Sequence, residues 1–217
     1  MKGILLMAMM AVAASCPSLT QTTQVMNQNV LELVQKNDMN GMAKALENGA
    51  DANTADTNKN SLLLIATRNG QAEMAKLLVK HGADVNQQSD NLDSAFLYAG
   101  ASGQTELVKL YLDHGARFDL FNRYNGTALI PACERGHVET VRLLANTKKF
   151  PIDHVNRLGW TALMEAIVLG DGSKKYQEIV QILKDAGSRL DISDSDGVSP
   201  LQHAKNRGFK EIVSLLQ

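Results

Sequence analysis

A spacing of 33 residues governs this chain. Three stretches close alike, Asn48-Gly49-Ala50-Asp51, His81-Gly82-Ala83-Asp84 and His114-Gly115-Ala116-Arg117, and their glycines fall 33 residues apart. A second landmark recurs at intervals of 33, 33, 34 and 38: Ser61-Leu62-Leu63, Ser94-Ala95-Phe96, Thr127-Ala128-Leu129, Thr161-Ala162-Leu163 and Ser199-Pro200-Leu201. A period of this length holds one supersecondary unit and is too short for a domain. No such unit can bury its apolar face alone, so neighbours must stack into one continuous core.

The residues inside each period predict two helices. Each Ser or Thr landmark can cap the first helix by accepting a hydrogen bond from a free backbone N–H. Gly70, Gly103, Gly136 and Gly208 follow the first helices, where a left-handed turn favours glycine. The second helices carry apolar residues at helical spacing: Met74, Leu77 and Leu78; Leu107, Leu110 and Tyr111; Val141, Leu143 and Leu144; Ile179, Ile182 and Leu183; Ile212, Leu215 and Leu216.

The period and the order of its landmarks resemble the ankyrin repeat, with its T-P-L-H-x-A-A-x-x-G-H-x-E pattern and its G-A-D ending. The run Thr127-Ala128-Leu129-Ile130-Pro131-Ala132-Cys133-Glu134-Arg135-Gly136-His137-Val138-Glu139 is the nearest approach to it. The resemblance covers about Val25 to Gln217. It implies an all-α repeat solenoid of helix-turn-helix units joined by hairpin loops, about six units including caps, over 25–53, 54–86, 87–119, 120–156, 157–191 and 192–217. The chain departs from the pattern in three places. Leu92 and Ala95 stand where glycine and proline are typical, so an irregular third hairpin is expected. Residues 146–154 replace the G-A-D ending, and Phe150-Pro151-Ile152 there predicts a loop tucked against the body. The fifth unit has a long loop between its helices, about Gly170 to Tyr176.

The N-terminus reads as a leader. Lys2 precedes an apolar run from Ile4 to Ala14 that is too short to span a bilayer, and Ala11 and Ala13 form an A-x-A cleavage signal. Residues 1–15 are therefore expected to be a signal peptide. Ala13-Ala14-Ser15-Cys16 also resembles a bacterial lipobox, with Ala13 where leucine is usual, which makes Cys16 a lipidation candidate. Residues 16–24 read as a flexible tether.

What the resemblance implies about function is protein binding. Hairpin tips and first helices form the concave face in ankyrin proteins. Carried over by position, that face holds Arg68, Asp90, Asn91, Phe121, Arg123, Tyr124, Arg135, Arg157, Leu158 and Trp160. The second and third fingers are polar, whereas the fourth and fifth collect aromatic and arginine residues, the types most enriched at binding hot spots. Phe121 and Trp160 have a second reading, in which they fold back onto neighbouring tips.

Other chemistry finds little support. A formal net charge of −1 over 217 residues gives no basic stripe for nucleic acid. The two cysteines, Cys16 and Cys133, make no disulfide framework, and the five histidines are scattered across units. The run from Asp191 to Gly197 has no distal glutamate at the spacing of a calcium loop. No phosphate-binding loop or nucleophile elbow occurs. The expectation is a non-catalytic, monomeric module without cofactor or metal, exported to the periplasm and touching the membrane only through a lipid on Cys16. Its partner would be a protein. Three roles stay open: an immunity or inhibitor protein against a secreted toxin or lipase, an accessory factor for a periplasmic enzyme such as an oxidative-stress enzyme, or a cytoplasmic scaffold if the leader is kept.

Overall fold

The computed structural model describes residue 26 and residues 29–217. The leader, the tether and Cys16 lie outside the described residues. Among the described residues there are twelve helices and no strand. They run in pairs: α1 (29–35) with α2 (Met39–Glu47), α3 (Leu62–Arg68) with α4 (Ala72–Lys80), α5 (Ala95–Ala101) with α6 (Thr105–Asp113), α7 (Leu129–Arg135) with α8 (Val138–Ala145), α9 (Ala162–Val168) with α10 (Lys174–Asp185), and α11 (Pro200–Asn206) with α12 (Lys210–Leu216). One pair falls in each of the six spans. The first helices α3, α5, α7, α9 and α11 pack side by side, and the second helices α4, α6, α8, α10 and α12 form a parallel row. Leu63, Leu78, Leu129, Leu144, Leu163, Ile179 and Leu183 are fully sealed in the core between the rows. Each such side chain contributes about 1.5–3 kcal/mol of burial.

Four of the five landmarks cap their helices. Ser61 Oγ accepts from the Leu64 N–H at 3.0 Å, and Ser94, Thr161 and Ser199 accept from Leu97, Met164 and Gln202 at 3.2 Å. Their carbonyls also take the N–H of the residue four places on, at Ile65, Tyr98, Glu165 and His203. Thr127 differs from the expectation. Its fourth following residue is Pro131, which has no N–H to give and whose ring crowds the Thr127 carbonyl. Helix α7 therefore starts at Leu129, and the buried Thr127 hydroxyl has no partner. Thr161→Val is expected to cost about 1 kcal/mol in urea denaturation. Thr127→Val should leave stability unchanged or raise it, because it removes an unsatisfied buried hydroxyl. Equal losses for the two variants would show that Thr127 caps after all.

The five hairpin tips share one turn. Asp56, Asn122, Asn156 and Asp194 each stand five residues before a landmark and turn one side-chain oxygen onto two N–H groups of their own tip, at 2.8–3.1 Å. The third finger was expected to be irregular, yet it closes with the same backbone bonds, Ser89 N–H to Asp93 and Leu92 N–H to Ser89, at 2.9 and 2.8 Å. The departure instead falls on one side chain: Ser89 leaves its buried hydroxyl unpartnered. Leu92 takes φ 60°, as Lys59 and Asn125 take φ 58° at the same place in their tips, a conformation that costs a side-chain-bearing residue about 1–2 kcal/mol.

Bonds from unit to unit follow the period. Asn53 accepts from the Asp84 N–H and donates to the Gly82 carbonyl, and Asn86 repeats both bonds with Arg117 and Gly115. Asp119 breaks the series by pairing with Arg117 of its own unit. There the seam is apolar: the Phe118 ring lies 6.3 Å from Phe96 and 5.0 Å from Phe150, so the loop at Phe150 does tuck against the body. Asp153 restores the pattern by accepting from Ser188 and Arg189. In the fifth unit, the Arg207 guanidinium donates to the Val168 and Gly170 carbonyls, so the sixth unit clamps the loop that leads into α10.

Candidate functional site

The fourth and fifth tips, with the first helices behind them, enclose a cleft of about 350 Å³. Arg123 and Tyr124 come from the fourth tip, and Asn156 and Leu158 from the fifth. Ile130, Pro131, Glu134 and Arg135 come from α7, Glu165 from α9, and Leu169 follows α9. A smaller recess of about 170 Å³ continues toward the third unit, past Tyr98 and Asp93.

The rim is apolar and open. Tyr124, Leu158 and Leu169 are each about half exposed, although large apolar side chains grouped in this way usually mark a contact surface. The two arginines are already engaged. The Arg123 guanidinium lies 4.9 Å from the Tyr124 ring centroid, and Arg135 Nη1 donates to the Ala101 carbonyl at 2.7 Å.

The floor is acidic. Glu165 is only 4% exposed. Its Oε1 accepts from Asn156 Nδ2 at 2.8 Å, and its Oε2 is buried with no partner. Burial, then the neighbouring Glu134 charge, push its carboxyl up to about 7, against the smaller pull of the Asn156 bond.

The structure brings Arg123, Tyr124, Arg135 and Leu158 together around this cleft. Phe121 instead stacks on His154, with ring centroids 4.2 Å apart, and His154 Nε2 meets the Asn125 carbonyl at 2.6 Å, so these rings join the fourth and fifth fingers. Arg157 is exposed, and its backbone N–H donates to the Tyr124 carbonyl at 2.9 Å. Trp160 is half-buried, and its carbonyl closes the fifth tip on Asn156. Arg68, Asp90 and Asn91 lie apart, on the second and third units. There Arg68 pairs with Asp93 at 3.0 Å and Asp90 with Lys59 at 2.7 Å, while Asn91 is exposed at its tip.

Sequence reasoning missed Asn156 and Glu165. One signal was available. The fourth residue after each landmark is Ile65, Tyr98, Pro131, Glu165 or His203, and three of these, Tyr98, Pro131 and Glu165, line the cleft or its recess. Cys133 is fully buried, and burial drives its thiol well above the ordinary range, which disfavours the reactive thiolate. Among the described residues no three His, Cys, Asp or Glu side chains group as metal ligands, and no helix is long and apolar enough to cross a membrane.

The family model for ankyrin repeats, in three copies, matches residues 30–122 and again 96–194. The chain belongs to the ankyrin-repeat family. Solved ankyrin structures are similar along almost their whole length. An ankyrin repeat domain from Acinetobacter baumannii AYE superposes with a TM-score of 0.84 at 44% identity, over 86% of this chain and 95% of that one. The ankyrin repeat protein EF0377 gives 0.84 at 38% identity, over 87% and 96%. Among curated relatives, the ankyrin repeat protein YahD of Escherichia coli K12 is 45% identical over 94 residues, 43% of this chain and 47% of YahD. The chain thus spans about half the length of that relative. Glycerophosphocholine phosphodiesterase GDE1 of Candida albicans is 33% identical over 92 residues, 42% of this chain and 8% of its own length, and that multidomain enzyme is matched only at its repeats. The ankyrin repeat is a protein-interaction module and typically non-catalytic.

Proposed function

We propose that this ankyrin-repeat protein works outside the cytoplasm and binds one partner protein through the cleft between its fourth and fifth fingers. The observation that carries the reading is the grouping of exposed Tyr124, Leu158 and Leu169 around a cleft with a buried polar floor. Apolar anchors beside a few fixed polar groups are the common form of a binding hot spot. The helices and shared tip turns hold this surface in place before any partner arrives, so little ordering entropy is lost on docking. Export rests on the sequence of residues 1–16. The partner would be a secreted toxin or lipase that the protein inhibits, or a periplasmic enzyme that it stabilises.

The test is capture from a cell-envelope extract with the wild-type chain and with a Tyr124→Ala/Leu158→Ala variant. Both substitutions are at exposed positions and should leave the melting temperature unchanged. A partner held by the wild type and lost by the variant supports the reading, and equal retention overturns it. The activity of the captured enzyme then decides the role. A fall on adding the protein marks an inhibitor, and a longer inactivation half-life marks an accessory factor. Mass spectrometry of the N-terminus checks export: loss of the leader within residues 1–15, or a lipid on Cys16, is expected, and an intact leader returns the protein to the cytoplasm.

A further inference from the structure

Two arginines and two glutamates line the cleft, and they differ in their partners. Its arginines are occupied, Arg135 by the Ala101 carbonyl and Arg123 by the Tyr124 ring. Its carboxylates are less so, since Glu165 has only the Asn156 bond. Among the described residues no ion pair or hydrogen bond reaches the Glu134 side chain, and Glu165 keeps Oε2 unpartnered although the residue is more than nine-tenths buried. A buried acceptor without a donor is costly, and two carboxylates close enough to influence one another raise that cost. In its ionised form Glu165 lacks a donor, and a positively charged donor would also favour that form. An acidic group entering here would meet the Glu134 charge and a Glu165 carboxyl that resists ionising.

Resting on the docking reading above, we propose that the cleft is a socket for one basic side chain of the partner, a lysine or an arginine on an exposed segment. The aliphatic stem lies against Tyr124, Leu158 and Leu169, and the cationic head settles between Glu134 and Glu165. Lysine and arginine suit such a site because they bury their methylene stems on apolar surface while presenting charge at the tip. The fit also explains why the polar floor lies below an apolar rim. The docking cation holds Glu165 ionised, so the complex forms with release of a proton near neutral pH, where the free protein binds one.

Blocked tripeptides, acetyl-Gly-X-Gly-amide with X as Arg, Lys, norleucine or Glu, test this against the full chain by NMR. The Asn156 side-chain amide and the Glu165 carboxyl carbon report the site. The Arg and Lys peptides are expected to shift both signals saturably, and the norleucine and Glu peptides to leave them in place. Glu165→Gln keeps an oxygen for Asn156, and Glu134→Gln changes a residue at the cleft wall. Each should weaken the Arg peptide by about fivefold or more. The proposal is overturned if the Glu peptide binds better than the Arg peptide, if norleucine binds equally well, or if both variants keep the wild-type affinity. Natural-partner capture separates the two ideas. Loss in the Tyr124/Leu158 variant with full retention in both glutamine variants would remove the basic socket and leave the docking surface standing.

Discussion

Removing residues 193–217 lowers the midpoint of thermal unfolding by about 10–20 °C, the largest effect expected from any change considered above. This deletion takes away α11 and α12, and with them Ile212 and Leu216, which are buried, and Phe209, which packs against the core. By burial alone that is on the order of 5 kcal/mol. It also strips the Arg207 bonds from the Val168 and Gly170 carbonyls, together with the bond from Lys184 to the Leu215 carbonyl. The fifth unit is left with an apolar face turned to water, the state a terminal cap prevents. Calorimetry of the full and shortened chains checks this. Coincident melting curves would show that the sixth unit does not cap the solenoid.

The second large effect is electrostatic, and its sign follows from the buried carboxyl. Glu165 titrates at about 7 in the folded chain and near 4.5 when unfolded. Between those values the folded state holds a proton that the unfolded state has lost, so stability falls as pH rises through that window. Above it, the buried charge costs roughly 1–3 kcal/mol. Glu165→Gln removes the charge and keeps an acceptor for Asn156. The variant should therefore be more stable than the wild type at pH 8 by about that amount, and the two should coincide at pH 4. Urea denaturation across the range checks it, and parallel curves would mean that the carboxylate is not desolvated. A residue that weakens the free protein in this way is common where a binding site is held ready.

The solenoid was legible in the sequence because its rule is one-dimensional. Glycines at 33-residue intervals and Ser or Thr landmarks place each helix pair without any knowledge of long-range contacts. Two local readings failed for reasons visible only in geometry. Thr127 has the right residue type for a cap, but Pro131 four places on removes the bond that would hold it. Leu92 was read as a sign of an irregular hairpin, and the backbone instead imposes the shared turn and strains the leucine. The cleft was half legible. Arg123, Tyr124 and Leu158 stand out as exposed tip residues. Glu165 sits in an apolar helical run, Ala162-Leu163-Met164-Glu165-Ala166, where nothing local distinguishes a helix-surface glutamate from a buried one. Its partner Asn156 lies on the preceding tip, and its charged neighbour Glu134 lies a whole unit earlier.

The bond from Thr67 to Tyr111 joins residues 44 positions apart, the widest span among the bonds between units described here. Every other such link, including Tyr176 to Glu134, closes a shorter loop. Closing short loops costs little chain entropy and is fast. The two ends of the chain therefore need not meet for folding to start. Any adjacent pair of units can nucleate it, and structure then spreads outward in both directions. A growing chain can begin to fold once two units have emerged, long before its last residue is made.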